Sequence, residues 1–194
     1  MSRPSLVRHW SALPSIDGCL ILERSHGHYR GERNMVVPAG KQRHESPYFV
    51  LTPDQRARPL NVVGTQVTVL ASNATTRSYG ITLQQGDEGT GPPPHSHDWD
   101  EAFYVLSGEI QFVCNGEAHA CQPGTLVHIP RGTVHAFQYG KGGGQMLEVT
   151  GQNARAAQMF TAVDRTIPSG PPDVPKLLKV LEHNGVTVAK QAVD

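Results

Sequence analysis

Between Asn61 and Thr150 the chain is a succession of short apolar or alternating pieces separated by turn residues, and this texture limits the possible folds more than any other feature. Val67, Val69 and Ala71 alternate with Gln66, Thr68 and Leu70. A further strand is predicted over Ser78–Leu83, followed by the turn-rich QQGDEGTGPPP. Strands are then predicted over Glu101–Leu106, Glu109–Cys114, Glu117–Cys121, Leu126–Ile129, Val134–Tyr139 and Gln145–Thr150. Strands this short, closely spaced and bounded by turn signals predict an all-β sandwich or barrel. The 20 glycines and 15 prolines agree with a turn-rich chain rather than a helical bundle.

The flanks read differently. Residues 1–60 form an N-terminal arm dominated by loop chemistry (PSIDG, PAGKQ, TPDQRARP), with short apolar pieces at Cys19–Leu22 and Tyr48–Leu51. Residues 61–152 are assigned to the barrel and 153–194 to a C-terminal helical cap. In that cap Asn153 is predicted to start a helix carrying Ala156, Ala157, Phe160 and Val163 on one face. A second helix is predicted after Asp173, with Pro175 in its first turn, Leu177, Val180 and Leu181 buried, and a stop at Asn184-Gly185.

Seventeen basic residues balance seventeen acidic ones, with no basic stripe and no acidic tail. That argues against nucleic acid or an anionic membrane as a partner. Apolar runs such as Val67 to Ala71 are too short to span a bilayer, and the first residues lack a continuous signal-like stretch, so a cytoplasmic location is expected. Asn115-Gly116 predicts a tight hairpin that sets Cys114 opposite Glu117 and Ile110 opposite Cys121. Cys114 and Cys121 would then lie roughly 13 Å apart along the sheet, beyond disulfide reach. Cys19, Cys114 and Cys121 are therefore expected as free thiols.

The chemistry concentrates in GTGPPPHSHDWDEAFYVLSG, residues 89–108. His95 and His97 are two apart, so on a strand both rings share a face. The turn Asp98-Trp99-Asp100 resets the phase and delivers Glu101, with Phe103 and Val105 on the same face as Glu101. A fourth candidate ligand, His135, follows in GTLVHIPRGTVHAF, where PRG makes a tight turn. Imidazoles plus a carboxylate suit Fe, Mn, Ni, Zn or Cu rather than Ca or Mg.

Those residues resemble the cupin superfamily. Gly89, His95, His97, Glu101 and Gly108 fall at every marked position of its first motif, and Gly124, Pro130, Gly132 and His135 at those of its second. Glu109 to Pro123 is similar to the shortest hairpin between the two motifs in microbial cupins. The second motif usually closes with Asn, where this chain has Tyr139, which puts the pocket rim in question. The surroundings are similar to small monocupins of the quercetin 2,3-dioxygenase-like group. The resemblance implies a double-stranded β-helix (jelly-roll barrel) and one divalent transition metal per chain (Fe, Mn, Ni or Zn) on His95, His97, Glu101 and His135. It leads to a dioxygenase acting on a small aromatic or enolic substrate, with Glu101 as proton acceptor. A metal-dependent isomerase, lyase or decarboxylase, or a non-catalytic small-molecule-binding protein, is the alternative. A homodimer is expected, with Tyr48–Leu51 or the helix around Leu177–Leu181 covering exposed strand edges.

Other residues are weaker candidates. Phe103 and Phe137 are placed in the substrate pocket by strand parity, with Phe112 and His128 as further members. His119 is read as outward-facing. His26-Gly27-His28 with Glu32, and Pro38 to Gly40 with His44, echo the two motifs, but the spacing leaves no room for a second barrel. The glycine run Gly140–Gly144 is read as a flexible hairpin rather than a phosphate loop.

Overall fold

The computed structural model describes residues 48–189. Cys19, the His26, His28 and Glu32 echo, His44 and most of the N-terminal arm lie outside them. Among the described residues the elements run β1 Leu60–Val62, β2 Thr65–Ala71, α1 Asn73–Thr76, β3 Gly80–Gly86, β4 His95–His97, β5 Glu101–Cys114, β6 Glu117–Cys121 and β7 Leu126–Ile129. They continue with β8 His135–Thr150, α2 Ala156–Thr166, α3 Val174–His183 and β9 Val186–Val188.

The all-β jelly-roll expectation holds, but its spine consists of two long strands rather than four short ones. β5 and β8 pair antiparallel from Glu101 opposite Thr150 to Cys114 opposite His135, with register shifts between Val105 and Ser107 and between Gly108 and Ile110. On one side of those shifts β5 lies between β7 and β8, and β8 continues into β3, β2 and β1. On the other side β5 lies between β6 and β8, and β8 carries β4 and then β9. Two antiparallel sheets therefore share bent strands.

Glycine permits the bend. Gly108 opposes Gly144 and adopts φ +76°, and a Cβ there would run into the Gly143 carbonyl oxygen. The glycine run is thus part of β8 and not a flexible hairpin: Gly140 packs on the Glu109 carbonyl, Gly143 on that of Gly86 and Gly144 on that of Ser107. Gly108→Ala combines left-handed strain with a backbone clash and is expected to destabilise by about 3 kcal/mol. Gly116→Ala, with φ +88° but open space around it, should carry the strain alone, about 1 kcal/mol. Urea unfolding midpoints check the difference; equal losses would show that close packing does not select Gly108.

The Asn115-Gly116 hairpin has both residues at positive φ and the predicted register, Cys114 opposite Glu117 and Ile110 opposite Cys121. Cys114 and Cys121 are free. Inward residues Phe103, Val105, Ile110, Phe112, Cys121, Ile129, Phe137, Tyr139 and Met146 fill the barrel.

A second core closes one barrel mouth. Ala156, Met159, Phe160 and Val163 recur at helical spacing on α2 and pack with Val67, Trp99 and Val186, while Leu177, Val180 and Leu181 of α3 lean on the same cluster. The α2 start differs from expectation: the helix is entered through Arg155, and Asn153 sits in a left-handed turn at φ +71°. α3 behaves as predicted, with the Asp173 side chain accepting from Lys176 N–H, Pro175 in the first turn, and Asn184-Gly185 at the end. Leu177, Val180 and Leu181 are only partly buried against this chain's own core, and Leu178 is exposed. α2 is clamped from outside by Arg58, which donates to both oxygens of Asp164, and by the Asn61 backbone N–H. No helix among the described residues is long and apolar enough to cross a membrane.

Candidate metal centre

β4 is only three residues long, yet it sits between two partners. His95 pairs with His135 on β8, while Ser96 and His97 oppose Thr187 and Val186 on β9. The two predicted motifs are stitched together by backbone. Gly132 N–H donates to the His97 carbonyl, and Arg131 N–H donates to the Asp100 carboxylate, with the Arg131 guanidinium at 3.3 Å from the same side chain. The PRG turn is thereby locked onto the turn that resets the strand phase, and His135 arrives beside His95 and His97. The ligating nitrogens of the three histidines all lie within 4.8 Å of one another.

Each imidazole is oriented by a backbone carbonyl. His95 Nδ1 donates to Pro93 O at 2.9 Å, His97 Nδ1 to Trp99 O at 3.0 Å and His135 Nδ1 to Thr133 O at 3.0 Å. A carbonyl only accepts, so Nδ1 carries the hydrogen, and in the neutral rings Nε2 is a bare lone pair. Glu101 Oε1 stands 2.7 Å from His135 Nε2 and 3.0 Å from His97 Nε2. Three lone pairs and a carboxylate form an all-acceptor cluster, and such a cluster needs a cation, either protons or a metal ion. The donor set therefore fits a transition metal on His95, His97, His135 and Glu101.

Electrostatics follow the same geometry. Burial, reinforced by the charge of His135, lowers the His95 pKa to about 4. Burial pushes Glu101 upward, but hydrogen bonds with His135 and His97 prevail and hold it down at about 2, so it is a carboxylate. Burial likewise opposes charge on His135, and Glu101 overrides it, leaving that imidazole above its ordinary value. The His97 ring stacks on Trp99 at 4.1 Å with 1° between planes, which fixes it from the side away from Glu101.

His95, His97 and Glu101 of the centre line a cavity of about 130 Å³. Phe103 and Phe137 line it as parity predicted. Phe112 does not: it is fully buried behind their rings, 5.3 and 5.5 Å away, as core filling. His128 does not either. It opposes Ala102, on the outward face of β5, and is exposed while Ile129 takes the inward position. His119 is exposed as expected. Tyr139 belongs to the barrel core, edge-on to Phe137, and does not line the cavity.

Sequence reasoning missed the opposite walls. Met159, Phe160 and Val163 of α2 and Leu177 and Leu181 of α3 roof the cavity, and Val186 and Val188 of β9 flank it. It also missed two buried polar residues, Gln84 and Glu148. Burial, the nearby charge of Glu101 and contact with that carboxylate raise the Glu148 pKa to about 8, against the hydrogen bonds from Thr82 and Gln84. A signal was available: within the predicted strand Gln145–Thr150, Glu148 shares parity with Met146 and so faces inward.

Residues 82–149 match the cupin domain family. A stretch of 71 residues is 28% identical to quercetin 2,3-dioxygenase of Bacillus subtilis (strain 168), covering 36% of this chain but only 21% of that protein's length. Among solved structures, KdgF from Halomonas sp. superimposes with a TM-score of 0.51 at 18% identity, over 55% of this chain and 96% of that one. An RmlC-like cupin from Shewanella frigidimarina NCIMB 400 gives 0.49 at 16% identity, over 56% and 95%. At 18% identity the likeness to KdgF is one of fold.

Proposed function

We propose that this chain, a member of the cupin superfamily, is a metal-dependent dioxygenase acting on a small aromatic or enolic compound. The observation that carries the reading is the convergence of the ligating nitrogens of His95, His97 and His135 with the Glu101 carboxylate, beside a cavity whose walls are largely apolar. A divalent iron, manganese or nickel ion held there would supply Lewis acidity and the capacity to activate dioxygen, whereas zinc would supply the first alone. The chain's own residues do the rest. The Nδ1–H bonds hold the three rings in a single orientation. Phe103, Phe137, Met159 and Phe160 exclude water and seat a flat apolar body. Glu101, ionised at neutral pH, accepts the proton of a phenol or enol brought against it. The partial match to a quercetin 2,3-dioxygenase supports oxygen chemistry over other uses of the same donors.

Dioxygen uptake by iron-, manganese- and nickel-loaded protein with flavonols, catechols and enediol acids is the test. Uptake that tracks substrate loss is expected. Substrate loss that proceeds equally well without oxygen would replace this reading with an isomerase or lyase, and inertness with every metal would favour a binding protein.

The free Cys114 and Cys121 support a reducing, cytoplasmic setting. A homodimer is part of the proposal as well. Tyr104, Leu106, Leu126 and Val149 are exposed together on the outer face of β5, β7 and β8, and Tyr48 and Val50 are also exposed. Light scattering at micromolar concentration is expected to give twice the 21.1 kDa chain mass, and a monomer would refute the dimer.

A further inference from the structure

We propose that Glu148, set by Gln84 and Thr82, anchors a hydroxyl of the substrate. The cavity would then select molecules bearing oxygens on neighbouring carbons, one oxygen at the imidazole cluster and the other at Glu148. This rests on the reading of the cavity as the substrate site and narrows what that site takes.

Glu148 is 3% exposed and reaches the cavity from β8, where it opposes Thr82 on one side and Phe103 on the other. Its Oε2 accepts from Thr82 Oγ1 at 2.6 Å and from Gln84 Nε2 at 3.0 Å, so the carboxyl plane is held by two neighbours on β3. Both bonds fall on Oε2, and Oε1 receives neither. Gln84 is itself 3% exposed and lines the same wall. Glu148 and Glu101 line the same cavity, so an oxygen seated on Glu148 shares it with the candidate metal ligands.

The rest of the wall is mostly apolar, with Val62, Val67, Met159, Phe160, Val163 and Leu181 beside the buried Thr65. Burying a carboxyl in such a place is costly unless it is hydrogen-bonded. A few placed polar groups in an apolar cavity are what orient a ligand. Glu148 is not required to complete the donor set, since the three imidazoles and Glu101 form it without help.

Calorimetric affinities for catechol and phenol, measured on zinc-loaded and metal-free full-length protein, test the assignment. In wild type, catechol should bind at least about tenfold tighter than phenol, the worth of one hydrogen bond to a carboxyl group. Glu148→Leu should bring that ratio to within about threefold, with zinc content and phenol affinity unchanged. Should the leucine variant fail to fold, Glu148→Gln, which preserves shape, should still lower the ratio by about threefold. Equal affinities for the two probes in wild type, or an unchanged ratio in the variants, would overturn the proposal. So would a loss of zinc or of phenol affinity on substitution, which would make Glu148 a support for Glu101 instead. Because the ratio is read with and without metal, a chain that takes up no zinc would refute the metal reading while still reporting on Glu148.

Discussion

His135→Ala should leave the protein folded and without stoichiometric metal. The imidazole is 1% exposed, its Nε2 lies 2.7 Å from Glu101, and its Nδ1 is already spent on Thr133 O, so no other group can swing into its place. Altering partners one shell further out typically costs 10–100-fold in metal affinity, and deleting a donor outright should cost at least about 100-fold. His97→Ala should behave alike. His128→Ala is the control: that ring is exposed on the outer face, and its loss should leave metal content unchanged. Elemental analysis of protein purified without an affinity tag makes the measurement, with circular dichroism to establish folding. Near-normal metal in both His135→Ala and His97→Ala would refute the ligand assignment. The same site sets a direction with pH. Protons and metal compete for the Nε2 atoms, so acidification should release the ion. His135, whose pKa Glu101 raises, takes up its proton ahead of His95, whose pKa is about 4.

Glu101→Gln should retain part of the metal through three imidazoles yet lower turnover by about 10²–10⁴-fold, the usual worth of a positioned base. Hydrogen bonds with His135 and His97 hold the native carboxylate well below its ordinary pKa, so it is ionised at neutral pH. The amide cannot take the proton. Steady-state kinetics at saturating substrate, with metal content determined on the same samples, separates the loss of a base from the loss of the ion. Turnover within about threefold of wild type at equal metal content would remove Glu101 from the chemistry and leave it a ligand only.

How far the site was legible depends on the range of the forces involved. The turn at Asn115-Gly116 and the hairpin register it sets are local matters of backbone conformation, and both came out as read. The Asp173 cap and the Asn184-Gly185 stop of α3 are equally local. The errors occurred where a distant neighbour decided. Gly140 to Gly144 carries every mark of a loop, but its glycines exist to let β8 pass close to β3 and β5. Val186–Val188, short and without flanking signals, becomes a strand only because β4 offers it an edge.

The convergence of His95, His97, Glu101 and His135 was expected from the resemblance, and locally a two-residue strand period and two tight turns direct these side chains. That determination needs nothing beyond a few residues on either side. The enclosure of the centre needs the whole chain. Thr82 and Glu148 are 66 residues apart and meet only once β3 and β8 are paired. Met159 and Phe160 read as ordinary helix-face residues until α2 folds over the barrel mouth and buries them. Their periodicity states that they will be buried and is silent on what they cover, because the hydrophobic effect rewards removal from water without regard to direction. Only tertiary packing turned that burial into the roof of a cavity over His95, His97 and Glu101.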